Sequence, residues 1–398
     1  MEPRHGACRI GVLINSSFWS GMEVHTVELV GLLAGRGHEV TIAELGKPVI
    51  AESGRLPTAL GVRLLQANPG LQLNQVGLRH WLRYIRGLQT DVVVFVKGST
   101  DDGSVRLDLA ARLCCRRFMT IEQMTPPPRP VYSRGSHLGG LLPGLGLWWY
   151  RQMAPVYLRS LGPKRIVGVS HAVARELRAY GFPGRKLAAV PHGVDAERYQ
   201  RSPAHRAAMR ATWDVPPDAL LFGSVGRLDT YHKGQDIALE LLGRLRERNP
   251  GLRFRYVLVG KGPHRARLEQ QSIELGLAEH VIFAGHTDRP WEAHSAIDVF
   301  LMPSRFEGIG LALEEAMASG CCSIAMGVGG VADVISEPSL GWAVPPGDRE
   351  AFLSAMQAVL DLGAAGRAAM GTRARRHIME HFRADEQYAA LADLIEGL

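Results

Sequence analysis

The chain has 398 residues, more than one hydrophobic core of ordinary size encloses, and its 46 % hydrophobic and 21 % charged content excludes a disordered or fibrous chain. Five cysteines, an odd number at spacings that fit neither zinc nor redox motifs, argue against a disulfide scaffold and predict buried free thiols. The net charge of +7 is uneven: residues 1–200 hold 25 Lys and Arg against 14 Asp and Glu, and the remainder holds 21 against 25. A basic half suits an anionic substrate or a membrane headgroup layer, or serves solubility alone; nucleic acid is not an expected partner.

In chain order, short apolar runs predict strands over 9–15, 39–44, 91–96, 118–122, 165–169 and 187–190, with helical spacing over 23–36, 76–88 and 171–180. The stretch 191–203, with Pro191-His192-Gly193-Val194-Asp195, reads as a crossing between domains. The pattern then restarts. Strands are expected over 220–225, 255–259, 281–284, 299–302, 323–326 and 342–344, and helices over 235–248, 264–275, 311–318 and 349–360. A final helix covers 384–398. Strands alternating with helices predict the α/β class, with parallel sheets covered on both faces. The expected domains are 1–193 and 194–383, the last helix packing back on the first. Residues 1–9 lack an apolar leader, and the most apolar uncharged run, 135–150, is broken by glycines and Pro143. A cytoplasmic location is therefore expected, with no membrane-spanning segment.

Ligands of open parallel sheets bind beyond the carboxyl ends of the strands. After the strand at 299–302 comes Pro303-Ser304-Arg305-Phe306-Glu307-Gly308-Ile309-Gly310-Leu311, and the helix that follows carries Glu314 and Glu315. Gly308 and Gly310 let backbone approach a ligand closely, and the free amides of a helix starting near Gly310 or Leu311 favour an anion. Glu307 and Glu315 stand at the two ends of that turn, and carboxylates accept paired hydroxyls well. Either Glu alone is equally an acidic first turn favoured by the helix dipole. After the strand at 220–225 come Gly226 and Arg227, then Lys233-Gly234 opening the next helix: a forked and a compact cation suited to a diphosphate. Gly260-Lys261-Gly262-Pro263 lacks the Ser or Thr of a P-loop, and Gly285-His286 follows another strand end. Ser20-Gly21-Met22-Glu23 precedes the first helix, where capping explains it as well as ligand binding does.

Glu307, seven residues, then Glu315, within Glu-Gly-Ile-Gly-Leu-Ala-Leu-Glu-Glu-Ala-Met-Ala-Ser-Gly, resembles the signature of the family-4 retaining glycosyltransferases of GT-B fold. The resemblance takes in nearly the whole chain and is stronger in the second half. It implies two Rossmann-like doubly wound domains facing across a cleft, the first for an acceptor and the second for a nucleotide diphosphate-sugar. In that family the first Glu contacts the donor sugar and the second the ribose hydroxyls, which gives these roles to Glu307 and Glu315. Arg227 and Lys233 match the diphosphate-binding pair, so the expected catalytic set is Glu307, Arg227 and Lys233. Gly226, Gly308, Gly310 and Leu311 line the donor, Gly260 and His286 lie toward the base, and Gly21 offers its amide to the β-phosphate. The implied reaction is hexosyl transfer to a glycan or lipid-linked acceptor, with retention, a closing motion about 191–195, no metal and no cofactor besides the donor. No Asp-x-Asp follows a strand.

One position departs from the family. Many members carry a His after the strand that here reads Phe118-Met119-Thr120-Ile121-Glu122; Glu122 offers only an acceptor of sugar hydroxyls. The helix at 76–88 puts Arg79, Arg83 and Arg86 on one face, which is either a solvated surface or a contact with anionic membrane at the inner face. The Thr125-Pro126-Pro127-Pro128 run and the apolar 138–150 segment are candidates for a lipid-acceptor groove, and equally for a buried loop and core helix. Two rival readings stay open: a nucleotide-sugar epimerase on the same fold, and a non-catalytic nucleotide-sugar binder. A dehydrogenase is disfavoured, since no Gly-x-Gly-x-x-Gly follows the first strand.

Overall fold

A computed structural model describes residues 6–16, 19–66, 73, 75–98, 104–125 and 162–398. The chain divides into two compact units, Met1–Pro191 with Gln387–Leu398, and His192–Glu386. Residues 126–128 and 138–150, one proposed acceptor region, lie outside the described residues.

The first unit holds a parallel sheet of β1 (Arg9–Ile14), β2 (Glu39–Glu44), β3 (Arg63–Gln66), β4 (Val92–Lys97), β5 (Arg117–Glu122), β6 (Arg165–Gly168) and β7 (Leu187–Ala189). Their order is β3-β2-β1-β4-β5-β6-β7. Side chains alternate between faces, as a strand's two-residue period requires. Ile10, Val12 and Ile14 join one core with Val92, Val94 and Val96, while Leu13 joins Val93 and Phe95 in the other. Both faces are thus buried, which explains the unbroken apolar runs of β1 and β4. The terminal helix Ala384–Glu396 adds Leu391, Ala392 and Ile395 to the first of these cores. Arg36 fastens it through Asp393 (2.7 Å) and Glu396 (3.0 Å).

The second unit holds β8 (Leu220–Val225), β9 (Phe254–Val259), β10 (Val281–Gly285), β11 (Val299–Met302), β12 (Cys322–Met326) and β13 (Trp342–Val344), all parallel and ordered β10-β9-β8-β11-β12-β13. That is the Rossmann order, with its switch point between β8 and β11. Leu221 and Phe300 face one core, and Phe222 and Leu301 the other. Helices absent from the sequence reading complete the layers: Val105–Cys114, Pro203–Thr212, Pro290–Ala296 and the 19-residue Gly363–His381. No helix among the described residues is long and apolar enough to cross a membrane.

Candidate active site

The ends of β8 and β11 meet at the switch point of the second unit, and most of the candidate residues follow one strand or the other. After β8 the chain must turn sharply between neighbouring loops. Gly226 takes φ +142° and Gly260, after β9, takes φ +148°, values open to glycine at little cost. The loops are tied together by Gly226 N–H to Val259 O (2.9 Å) and Gly260 N–H to Gly285 O (2.7 Å). A Cβ on Gly260 would collide with the Gly226 carbonyl.

Arg227 follows, its guanidinium paired with Asp229. Asp229 caps the short helix Thr230–Lys233 by accepting from Tyr231 N–H (3.0 Å), and its other oxygen lies 2.9 Å from His232 Nδ1. One buried carboxylate therefore orients an arginine, a histidine and the helix carrying Lys233. Gln235 fixes the loop from behind, donating to the Arg227 carbonyl at 2.7 Å.

Lys233 Nζ donates to both oxygens of Glu307, at 2.8 and 3.1 Å. The hydroxyl of Ser304 donates to the same carboxylate at 2.7 Å. The Glu307 side chain is only 7 % exposed and that of Lys233 33 %, so the pair is partly shielded, where charge-assisted hydrogen bonds are stronger than at an open surface. Lys233, expected at a diphosphate, and Glu307, expected at a sugar, form one ion pair.

Gly308 O accepts from Gly330 N–H (2.8 Å), and Gly310 adopts φ +90° as the N-cap of the helix Leu311–Ala318. No side chain caps this helix start, so none of its first-turn amides is taken up by a cap. One turn on, Glu315 is held from behind. Tyr199 O–H donates to one oxygen at 2.6 Å, and His294 Nε2 lies 3.4 Å from the other. His294 is fully buried, yet its pKa is raised: burial lowers it, and the Cys321 thiol and the Glu315 carboxylate together outweigh that. Burial, followed by the charge of Glu315, raises the Tyr199 phenol, which stays a donor. The Glu315 side chain remains 23 % exposed, so a carboxylate clamped on its buried side still presents an open one. Its neighbour Glu314 is fully buried with neither oxygen hydrogen-bonded. Burial, then the Glu315 carboxylate, pushes the Glu314 carboxyl well above its ordinary value.

The remaining candidates follow other elements. His286, after the outer strand β10, is exposed and 3.5 Å from Asp288. Gly21 opens the helix Gly21–Gly35 in the first unit, where Ser20 and Glu23 form a capping box, Ser20 N–H donating to Glu23 at 2.8 Å. Glu122 is 1 % exposed. It lies in a buried charge cluster, 4.0 Å from Lys97 Nζ, which in turn pairs with Asp108 at 3.0 Å. Glu122, the candidate acceptor of sugar hydroxyls at the end of β5, thus has Lys97 at the end of β4 as a neighbour. Arg79, Arg83 and Arg86 are exposed on the helix Leu78–Gly87, whose opposite face buries Trp81 and Ile85. Asp229, His232, Ser304, Tyr199 and His294 were not anticipated. Asp229 and Ser304 lie two and three residues from residues that were.

The clamp on Glu315 has a measurable consequence. A hydrogen bond to a charged group contributes about 1.5–3 kcal/mol. If Glu315 reads ribose, Tyr199→Phe raises the KM of a nucleotide-sugar donor about tenfold, with kcat little changed. A 2′-deoxyribose donor loses less, since it has fewer hydroxyls to offer the misplaced carboxylate. Equal losses for both donors, or none, remove Glu315 from that role.

Residues 205–377 match the family model described as Glycosyl transferases group 1, and residues 19–198 match Glycosyltransferase Family 4. A GDP-mannose-dependent alpha-(1-6)-phosphatidylinositol monomannoside mannosyltransferase of Mycolicibacterium smegmatis is 34 % identical over 235 residues, 56 % of this chain and 59 % of that protein. A D-inositol 3-phosphate glycosyltransferase of Saccharomonospora viridis is 35 % identical over 211 residues, 50 % of this chain and 48 % of that one. The match thus spans about half to three-fifths of these relatives' length. Among solved structures, a glycosyltransferase from Rickettsia africae superposes with a TM-score of 0.78 at 17 % identity, covering 99 % of each chain. Anabaena HepE in complex with UDP and glucose gives 0.77 at 17 % identity, over 98 % of this chain and 100 % of that one. With one family model on each unit and a GT-B fold along its length, the chain belongs to the family-4 glycosyltransferases.

Proposed function

We propose that the chain transfers a hexosyl-type sugar from a nucleoside diphosphate-sugar to a glycan or lipid-linked acceptor, with retention at the anomeric carbon and without a metal ion. The observation that carries this reading is the Lys233–Glu307 pair at the switch point of the second sheet, one turn from a helix start whose amides are uncapped. The diphosphate lies against those amides with Arg227 and Lys233 beside it. Glu315 takes the ribose hydroxyls, and Glu307 the hydroxyls of the sugar. The bond from the sugar C1 to the β-phosphate oxygen breaks, the acceptor oxygen bonds to C1, and the departing phosphate takes the acceptor proton. Two cations and the helix start offset the charge that grows on the leaving group, the task a metal performs elsewhere. Glu307 is a poor covalent nucleophile: Lys233 and Ser304 take three of the about four acceptor sites of its carboxylate, and the remaining capacity goes to the sugar hydroxyls. A front-face attack follows.

Membrane contact at the first unit is a further part of the proposal. Arg79, Arg83 and Arg86 are exposed on one helix, and the helix packed beside it exposes Leu109 and Leu113. That combination of cations and apolar tips suits an anionic lipid surface.

The test is a donor screen. The relatives' names make GDP-mannose and UDP-glucose the first donors, with phosphatidylinositol mannosides and D-inositol 3-phosphate as acceptors. Expected are stoichiometric release of nucleoside diphosphate, a product that keeps the donor's anomeric configuration by NMR, and an unchanged rate in excess EDTA. Interconversion of the donor without sugar transfer would mark an epimerase, and tight donor binding without turnover a sensor. Loss of activity in EDTA, restored by a divalent cation, would overturn the metal-free mechanism.

A further inference from the structure

Beside the Lys233–Glu307 pair stand three aromatic rings that the transfer chemistry leaves unused. Tyr231 is 59 % exposed, the one aromatic among the large exposed hydrophobic side chains of the described residues. Its ring centroid is 5.0 Å from that of His232 and 5.7 Å from that of Phe306, and His232 is 6.0 Å from Phe306. A single exposed tyrosine is ordinary. These rings are held in place, however. Asp229 accepts from the Tyr231 amide and lies 2.9 Å from His232 Nδ1. Arg305 N–H donates to the His232 carbonyl at 2.7 Å, and its guanidinium forks onto Asp236 at 2.9 and 2.8 Å. The two loops that carry the rings are thus cross-linked, and each leads directly into a member of the pair: His232 precedes Lys233, and Phe306 precedes Glu307. Burial, then the positive charges of Arg227 and Lys233, lowers the His232 pKa, so its ring is neutral at neutral pH.

A pyranose ring has a rim of hydroxyls and a face of C–H bonds. Carboxylates and cations bind the rim. An aromatic face, electron-rich at its centre, covers the C–H bonds and removes their apolar surface from water. We propose that Tyr231, His232 and Phe306 form a stacking platform for the C–H face of a pyranose ring held beside the Lys233–Glu307 pair. This rests on reading that pair as the sugar end of the donor site. The ring belongs to the donor sugar or to the terminal sugar of the acceptor, and the two sources are separable by experiment.

The whole chain is compared with Tyr231→Ala and Tyr231→Phe. In one arm, calorimetry gives the affinity of GDP-mannose over GDP and of UDP-glucose over UDP, which isolates what the sugar adds. In the other, saturation-transfer NMR follows methyl α-D-mannopyranoside and methyl α-D-glucopyranoside on protein saturated with GDP or UDP. Tyr231→Ala is expected to cut the signal about fivefold in one arm, with Tyr231→Phe close to wild type. Loss in the first arm assigns the platform to the donor sugar, and loss in the second to the acceptor sugar. An alanine variant equal to wild type in both arms overturns the platform, as does a phenylalanine variant that loses as much as alanine. A wild type that binds GDP and UDP but gains nothing from sugar in either arm overturns it too. A wild type that binds neither nucleotide instead overturns the donor-site reading beneath it, and the platform with it.

Discussion

Glu307→Ala is expected to lower kcat about a thousandfold, the scale of losing a preorganised polar contact at a reacting centre. Glu307 is the meeting point of Lys233, Ser304 and, in the proposed complex, the donor sugar. Removing it takes away the contact to the sugar and also the anchor that holds the Lys233 ammonium beside the leaving group. Glu307→Gln separates these effects. It keeps the shape and one acceptor oxygen but loses the charge that orients Lys233, so it should fall between wild type and alanine. Calorimetry with GDP and UDP supplies the control, because the uncapped helix start and the Glu315 clamp are outside the substitution. Nucleoside diphosphate affinity should change little while turnover collapses. Full turnover in the alanine variant would remove Glu307 from the reaction.

How much of this was legible beforehand depends on sequence distance. Glu307, Gly308, Gly310, Leu311 and Glu315 lie in one strand-loop-helix stretch, so their spacing carries their geometry. Arg227 and Lys233 likewise follow one strand. Tyr199 is 116 residues from the Glu315 that it clamps, and His294 reaches the same carboxylate from a separate helix. No periodicity can pair such residues; only the parallel crossovers of the sheet bring them together. The same holds for Glu122, which the register of β5 on β4 sets beside Lys97.

The missed elements have local causes. Gly363–His381 is rich in Ala, Gly and Arg, and its buried stripe is just Met370, Gly371, Ala374 and Ile378. That stripe is too narrow to stand out as an amphipathic pattern, and Gly371 is there because the backbone of Gly320 leaves no room for a Cβ. Strand β3 is mostly exposed and shows no apolar alternation; its pairing with β2 makes it a strand. By contrast β4, buried along its length, was plain from its valines.

Lys233→Ala is expected to cost about a hundredfold or more in kcat/KM, and to do so without adding to the loss from Glu307→Ala. The two side chains form one unit: the ammonium is placed by both oxygens of the carboxylate, and the carboxylate is oriented by the ammonium. In the Lys233→Ala variant Glu307 keeps only Ser304 and becomes a largely buried carboxylate without its counter-charge, directly beside a donor that carries a diphosphate. That repulsion raises the donor KM as well as slowing the chemical step, which distinguishes it from Glu307→Ala, where binding of the nucleotide survives. Lys233→Arg should recover little, because the longer, bulkier guanidinium cannot sit where the compact ammonium lies 2.8 and 3.1 Å from the two Glu307 oxygens without taking room beside the leaving phosphate. The double variant settles whether the pair acts as a unit. A rate no lower than that of the worse single variant is the expected result, and losses that simply add would mean that lysine and glutamate serve the donor independently.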